Sequence, residues 1–469
     1  MRPCRRGGWY AGILAAVLGW GCALAQTGPT WDSPLAGPLQ VWSLIQAARL
    51  RDPALSAAVA SADAAQERAV QSRAALWPSL NAVVGRSSTR TVDLDSTSPS
   101  SAERVAFSTR QGVQLSVPLI RASTWSAIDQ ADAGLAAAQL QREVARLDAD
   151  QRLVTALIGL IVAQEQFELT QAQAVATAEQ VAAARRKFQV GTVSVTDVKE
   201  AEAKFDSVTA QQDAARFEQQ SHREELADLV GMSAQQLPSS VGRLGELDVA
   251  TDSLALTEWL DRADQDHPGV QQARLQLTGA QLEVEKARRT HWPTLDATAS
   301  RTHNRGDAPS LFSPGNTRVT QAEVTLNVPL FAGGATESKV REAVALEGKA
   351  RADLEVTRQK VLATVRQAYF ALQAARSQAR GQRTAEESAR IALKANRRAY
   401  EVGLRVNADV LSAQSQWFEA RRDLVRARHE VWLQRIKLAA AAGALGGTEL
   451  GWLDAQLEPA ERVPAELKP

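Results

Sequence analysis

The spacing of apolar and polar residues changes from a helical period to a two-residue period once in each half of the chain. Residues 113–117 read Val-Gln-Leu-Ser-Val, and residues 324–328 read Val-Thr-Leu-Asn-Val. Such alternation indicates a β-strand with one apolar face. A weaker alternation precedes each of these segments. The sequence therefore predicts one β-hairpin in each half, at about 79–118 and about 294–330.

The segments around these hairpins favour long helices. No proline occurs between positions 118 and 238 or between 329 and 459, and Ala, Gln, Glu, Arg, Leu and Lys dominate both stretches. An internal proline costs a helix about 3 kcal/mol, so its absence over such lengths permits long helices. A shorter helix is expected before each hairpin, after Asp52-Pro53 and after His267-Pro268. The long and medium helices are predicted at 122–189, 197–230, 336–400 and 409–442.

Three short motifs occur twice, in the same order and at nearly the same spacing. Their second copies follow the first by 212, 215 and 211 residues, measured from Gly191 to Gly403, Pro78 to Pro293 and Pro118 to Pro329. Repeats this long indicate a tandem duplication of roughly 210 residues rather than a solenoid array. We expect a first repeat at 26–245, a second at 246–450 and a tail at 451–469.

Residues 1–25 have the features of a signal peptide. Three arginines precede an apolar stretch that ends in Ala-Leu-Ala, and the stretch is too short to span a bilayer. A signal anchor, or a lipoprotein modified at Cys22, are the alternatives. Cleavage would remove both cysteines and leave 51 basic residues, three fewer than the 54 of the full chain, against 53 acidic residues.

The remaining composition argues against several classes of function. A nearly balanced charge provides no basic surface for nucleic acid. The five histidines include no His-Glu-x-x-His pattern, and no glycine-rich loop follows a strand. We therefore expect no enzyme activity, no metal site and no cofactor. Apart from the signal segment, no uninterrupted apolar run is long enough for a transmembrane helix.

The predicted strands raise a physical difficulty that favours an oligomer. They are about 10 to 13 residues long, near the length at which a tilted strand crosses a membrane. Four strands cannot close a barrel, and open strand edges are not tolerated in hydrocarbon. Several chains would have to combine their strands. A soluble four-stranded sheet covering a helical bundle is the alternative.

This combination of signal peptide, duplicated halves, hairpins and paired helices resembles the TolC-type outer-membrane efflux proteins. The most specific motifs are Phe188-x-x-Gly191 before Thr196-Asp197, and Tyr400-x-x-Gly403-x-Arg405 before Asp409. The resemblance implies an α+β homotrimer, in which a twelve-helix α-barrel in the periplasm continues a twelve-stranded transmembrane β-barrel, four strands per chain. It also implies that the protein lies in the outer membrane of a Gram-negative bacterium and extends into the periplasm.

The same resemblance assigns roles to the residues of the turns. The turns formed by Phe188 with Gly191, and by Gly403 in the second half, would form the periplasmic tip. The Thr196-Asp197 and Tyr400/Arg405 pairs would form a latch that holds the entrance closed. Asp409 would form an acidic ring at the constriction, while Ser412 stands where the family often has a second aspartate. Alternatively, Asp197 and Asp409 only begin helices, and the two aromatic residues only pack the turns.

Trp77 and Trp292 lie where a helix meets a strand, and the sequence predicts that they anchor the protein at the membrane interface. Core packing is the alternative role for both. Because the predicted strands are expected to cross the outer membrane, they should also contact its lipid.

The resemblance also implies partners. These are a periplasmic adaptor (membrane fusion protein) and an inner-membrane ABC or proton-driven transporter. The cargo is an exported protein or a small molecule. The composition is similar to that of CyaE-type members, which serve type I toxin secretion. A drug or metal efflux pump is the first alternative, and a soluble periplasmic scaffold or adaptor is the alternative from another class.

Overall fold

The structure is a computed structural model, and it describes most of the chain beyond position 40. The predicted signal peptide and most of the predicted tail lie outside the described residues. So do parts of the two loops that connect the strands of each hairpin. The described residues are 41–92, 103–238, 242–245, 254–306, 316–446, 451–453 and 455–458.

Eight helices form most of the described structure. The two longest contain 68 and 67 residues, which corresponds to about 100 Å at ~1.5 Å per residue. Two helices of 36 and 35 residues follow them. The helices are α1 (Val41–Arg51), α2 (Pro53–Ala74), α3 (Ala122–Gln189), α4 (Val195–Val230), α5 (Leu256–Asp266), α6 (Pro268–Arg289), α7 (Ala335–Glu401) and α8 (Asn407–Ala441).

Within the described residues, six strands form two sheets. The larger sheet contains four antiparallel strands in the order β1-β2-β4-β5, so the two hairpins meet through their inner strands. The smaller sheet pairs β3 with β6 and was not predicted. The strands are β1 (Ser79–Val92), β2 (Glu103–Ile120), β3 (Arg243–Leu244), β4 (Thr294–Gly306), β5 (Asn316–Asn327) and β6 (Leu457–Glu458).

The register of the four-stranded sheet separates an apolar face from a polar face. Val117 lies opposite Ala297, which lies opposite Val324. On the other face, Gln114 lies opposite Ser300, which lies opposite Gln321. Many apolar side chains of this sheet are exposed: Leu80, Val84, Val105, Phe107, Val113, Leu115, Val324 and Leu326. The apolar face is therefore not covered by the described part of the chain, and β1 and β5 are its open edges.

The helices beneath the sheet are arranged in the same order as its strands. α2 packs on α3, α3 packs on α6, and α6 packs on α7. Towards the other end, α4 packs on α3 and α8 packs on α7, while α3 and α8 contact each other. Each half is thus one long helix beside two shorter ones, and the halves join along α3.

The main apolar core lies in the middle of the helical body. There α1, α5 and the small sheet surround α3, α7 and the ends of α4 and α8. Trp259 and Trp432 are fully buried in this core, and the indole Nε1 of Trp432 donates to the carbonyl of Gly245 at 3.1 Å. Among the described helices, α3 alone is long and apolar enough to resemble a membrane span, with a mean hydropathy of 1.3 over its most apolar 18 residues. Because 72% of this segment is buried inside the protein, the core accounts for its apolar character.

Candidate functional site at the paired glycine turns

The first turn ends α3 with a left-handed glycine. Gly191 has a φ of 74°, a region that residues with a side chain rarely adopt. Its N–H donates to the carbonyl of Phe188 at 2.9 Å, and the N–H of Thr192 donates to the carbonyl of Lys187 at 2.9 Å. These bonds satisfy carbonyl groups that the end of a helix would leave unpaired. Phe188 itself is exposed on this turn.

The next helix, α4, begins with a capping box. The side chain of Ser194 accepts a hydrogen bond from the N–H of Thr196 at 3.0 Å. Asp197 Oδ2 accepts from the N–H of Ser194 at 2.9 Å. This reciprocal arrangement stabilises the first turn of a helix. The Asp197 carboxylate therefore caps its own helix, while Thr196 is exposed.

The second turn repeats the geometry of the first. Gly403 has a φ of 80°. Its N–H donates to the carbonyl of Tyr400 at 3.0 Å, and the N–H of Leu404 donates to the carbonyl of Ala399 at 2.8 Å. The equivalent bonds in both turns show that the duplicated sequence motif specifies one turn conformation.

The start of α8 is capped less firmly than that of α4. Val406 occupies the position of Ser194 and has no side-chain acceptor. Asp409 Oδ2 accepts from the N–H of Val406 at 3.4 Å and lies 3.5 Å from Arg405 Nη1. The side chain of Asp409 is 37% exposed. This carboxylate is therefore held near the helix start but remains accessible to ions.

One contact joins the two turns directly, and it was not predicted. Lys187 Nζ donates to the hydroxyl of Tyr400 at 3.0 Å and lies 4.3 Å from the centre of its ring. A cation this close to an aromatic ring is attracted by the negative face of the ring. The lysine thus combines a hydrogen bond and a cation–π contact across the two halves of the chain.

The predicted latch is not formed within a single chain. Among the described residues, neither Tyr400 nor Arg405 bonds to Thr196 or Asp197. Tyr400 instead accepts from Lys187, and Arg405 pairs with Asp409 four residues later. The physical reason is local: each aspartate lies in the first turn of its own helix, where free N–H groups attract it. Any latch involving Thr196 and Asp197 would have to form between chains.

Apolar contacts behind the turns hold them together. Val181 and Ala184 of α3 pack with Val198 of α4 and Leu411 of α8 in a small buried cluster. Tyr400 packs against a second cluster, formed by α7 and α8. The positions of the turns relative to each other are therefore fixed by both apolar packing and the lysine contact.

Between the turns and the main core, α3 and α8 meet along a polar seam. Arg422 donates to Gln173 at 2.8 Å, and Gln180 donates to Gln414. A third contact across the seam is the ion pair between Arg428 and Glu165, with Nη2 and Oε2 2.7 Å apart. Hydrogen bonds thus join the two halves here, in place of a continuous apolar core.

Glu165 is the buried charge of this seam. Burial by itself would raise the pKa of its carboxyl group. The nearby ring of His429 and the charges of Arg428 and Arg243 outweigh burial and hold that pKa below its ordinary value of 4.5. The ring of His429 lies 3.5 Å from the carboxylate through Nε2, and its Nδ1 donates to the carbonyl of Val425 at 2.8 Å. Sequence inspection missed this group because its members are 264 positions apart (165 to 429).

Trp77 and Trp292 lie at the predicted junctions between helix and strand. Their exposed fractions are 74% and 57%, so neither is buried within the described chain. Core packing, the alternative considered for these residues, does not describe them. Both lie between the end of a helix and the start of a strand, and their role as membrane anchors stays a prediction.

A comparison with protein-family models matches most of this chain. The model described as "Outer membrane efflux protein" matches residues 44–232 and 259–444, one segment in each half. Among curated proteins, the chain is 28% identical to the outer membrane protein TolC of Vibrio cholerae, over 92% of the chain and 99% of that protein.

Two further relatives carry informative names. The chain is 27% identical to the proteases secretion protein PrtF of Dickeya chrysanthemi, over 90% of the chain and 92% of that protein. It is 30% identical to protein CyaE of Bordetella pertussis, over 56% of the chain and 55% of that protein.

Solved structures support the same fold. The outer membrane protein VceC of Vibrio cholerae superposes with a TM-score of 0.70 at 22% identity, covering 86% of this chain and 96% of that structure. At this identity the comparison establishes the fold alone.

Proposed function

The chain belongs to the outer membrane efflux protein family, and from this we propose that it is the outer-membrane conduit of a tripartite export system. It is an outer-membrane protein of a Gram-negative bacterium, as its relatives are. The soluble periplasmic scaffold considered above does not fit this location.

The observation that carries the proposal is the incomplete sheet. It has four strands, two open edges and an exposed apolar face. In hydrocarbon an unpaired strand edge costs several kcal/mol for each backbone group left without a partner. Joining β5 of one chain to β1 of the next would remove this cost. Three chains would then form a closed barrel of twelve strands.

The helical body would continue this barrel as a tunnel. α2, α3, α6 and α7 form a wall in the same order as the strands. Three such walls would contribute twelve helices, and the length of α3, about 100 Å by its rise per residue, would carry the tunnel far into the periplasm. The boundaries at 26–245 and 246–450 would divide each chain into two similar halves of this wall.

The paired turns would then form the entrance of the tunnel. Lys187 and Tyr400 hold the two turns of one chain together, and we propose that Arg405 reaches Thr196 or Asp197 of a neighbouring chain. Three copies of Asp409 would face a narrow lumen and attract cations. Because Ser412 supplies no second carboxylate, this selectivity would depend on Asp409.

Transport needs partners, because the chain itself contains no motif for using energy. A periplasmic adaptor and an inner-membrane ABC or proton-driven transporter would supply the link and the energy. The likeness to PrtF, named for the secretion of proteases, favours an exported protein as cargo. A drug or metal efflux pump is the second candidate, since the family model is named for efflux.

Crosslinking in intact cells, followed by size analysis of the purified outer-membrane fraction, tests the proposal. We expect a trimer that resists dissociation in mild detergent. Cysteines introduced at one β1 position and one β5 position should crosslink between chains, whereas a pair placed within β2 should not. A monomer in the outer membrane, or a protein confined to the soluble periplasm, would contradict the conduit.

A further inference from the structure

A groove lies where the helical wall meets the sheet, beneath the two inner strands. It has a volume of about 320 Å³ and lies between the start of α3 and the end of α6. Its lining combines two indole rings with charged side chains: Ala122, Trp125, Glu285, Arg288, Arg289 and Trp292. Trp125 and Trp292 are 46% and 57% exposed, and this arrangement of aromatic and basic groups plays no part in the paired turns.

The charges of the groove favour an anion. Arg289 is paired with Glu285 one helical turn earlier. Arg288 has no hydrogen-bond or ion-pair partner among the described residues. The first turn of α3 contributes no acidic side chain. One positive charge therefore remains unbalanced within the groove.

A neighbouring copy of the chain would not cover this groove. The wall runs in the order α2, α3, α6, α7, and the groove lies between its two inner members. Further copies would join at the outer strands β1 and β5, one strand beyond the inner pair on each side. On the polar face of the sheet, Arg121 already pairs with Asp296 at 2.9 Å, and neither residue lines the groove.

We propose that this groove opens beside the apolar sheet face and binds the phosphodiester headgroup of an anionic phospholipid from the periplasmic leaflet. Arg288 and Arg289 would contact the phosphate, and Trp125 and Trp292 would lie against the glycerol and upper acyl chains. Arginine forms paired hydrogen bonds with phosphate oxygens, and indole rings favour the region between headgroup and hydrocarbon. This inference rests on the proposed function, in which the sheet crosses the outer membrane.

The first half of the chain supplies a matched control. Trp77 and Arg73 occupy the positions that correspond to Trp292 and Arg288, 215 residues earlier in the sequence. Arg73, however, is neutralised by Asp132, with Nη2 and Oδ1 2.8 Å apart. Trp77 should therefore contact lipid without preferring an anionic headgroup.

Quenching of indole fluorescence by brominated lipids tests the site. The full-length protein is reconstituted in phosphatidylcholine vesicles that contain brominated phosphatidylglycerol or brominated phosphatidylcholine. We expect stronger quenching by the anionic lipid. Trp125→Phe/Trp292→Phe should remove the excess, and Trp77→Phe should preserve it. Replacement of Arg288 by glutamine should lower the preference for the anionic lipid about five-fold. Arg289→Gln should lower it less, because Glu285 already balances the charge of Arg289.

Three outcomes would overturn the lipid site. Equal quenching by both lipids would mean non-specific contact with the bilayer. An excess that persists in Arg288→Gln/Arg289→Gln would mean that the arginines do not bind the headgroup. Quenching of Trp77 without quenching of Trp125 or Trp292 would place the groove away from lipid. If no tryptophan is quenched by either lipid, the membrane-spanning sheet itself, and hence the proposed function, fails.

Discussion

Replacement of Arg428 by methionine should weaken the contact between the two halves of the chain. Arg428 donates to Glu165 across the polar seam, with Nη2 and Oε2 2.7 Å apart. Methionine keeps an unbranched apolar side chain but removes the charge. The carboxylate of Glu165 would then remain in a buried position without the guanidinium group that balances its charge.

The expected cost lies between that of a surface ion pair and that of a buried one. The exposed fractions of the two side chains are 33% for Arg428 and 8% for Glu165. Breaking a buried pair costs about 3–5 kcal/mol, and an exposed pair contributes about 0–1 kcal/mol. A pair with one buried and one partly exposed side chain should therefore contribute about 2 kcal/mol. This corresponds to roughly a 30-fold change in the equilibrium constant for local opening.

Hydrogen exchange of the purified protein measures this change locally. Amides of α3 and α8 beside the pair should exchange roughly 30-fold faster in Arg428→Met, because exchange follows the free energy of local opening. Arg426→Met is the matched control. Arg426 lies two residues earlier, with 65% of its side chain exposed, and its pair with Asp423 spans 3.6 Å. This control should change exchange less than about three-fold.

A double variant separates the lost charge pair from a general loss of packing. Glu165→Gln together with Arg428→Met removes the uncompensated carboxylate, and the new amide can donate to His429 Nε2. The protection of the α3 and α8 amides from hydrogen exchange should recover most of the way to the wild-type level. If Arg428→Met exchanges like Arg426→Met, or if the double variant is no better protected than Arg428→Met, the buried pair does not hold α8 on α3.

Two further predictions follow from other residues. His267 Nδ1 accepts the N–H of Gly269 at 3.0 Å, and burial lowers the pKa of this imidazole below its ordinary value of 6.5. Its contribution to stability should be present above pH 6.5 and lost as pH falls through the folded pKa. The protection of amides at the start of α6, relative to the intrinsic exchange rate at each pH, should therefore fall towards pH 5. In His267→Asn, which keeps a capping acceptor that does not titrate, this protection should not change over that range. Asp409→Ala should remove most cation selectivity and multivalent-cation block in planar bilayers, while secretion continues; unchanged reversal potentials would leave Asp409 with a capping role alone.

The helices and strands could largely be predicted from the sequence. The predicted span of α3, 122–189, agrees with the structure, and α4 begins at Val195 rather than 197 because Ser194 supplies the cap. β1 and β2 contain 14 and 18 residues and are longer than the 10 to 13 residues expected. The short elements α1, α5, β3 and β6 were missed, since segments this short are stabilised by tertiary contacts more than by local pattern.

Side-chain partners at the turns could not be predicted in the same way. The contact between Lys187 and Tyr400 depends on how α3 and α7 are rotated relative to each other, which a sequence repeat does not specify. One signal was present: the halves differ at this point, with Lys187-Phe188 in the first and Ala399-Tyr400 in the second. A lysine in one copy and a hydroxyl in the other, at equivalent levels, favour a bond between the copies.

Single-channel conductance of the purified protein in planar bilayers tests the central claim most directly, namely a conduit closed at its paired turns. The wild-type protein should give small, uniform conductance steps. Lys187→Met combined with Arg405→Ser should raise the step size several-fold, because Lys187 joins the two turns of one chain and Arg405 is proposed to join the turns of neighbouring chains. Arg426→Met, on the exposed surface of α8, should leave it unchanged. The absence of conductance from a verified trimer, or a step size unaffected by the turn variants, would contradict the account.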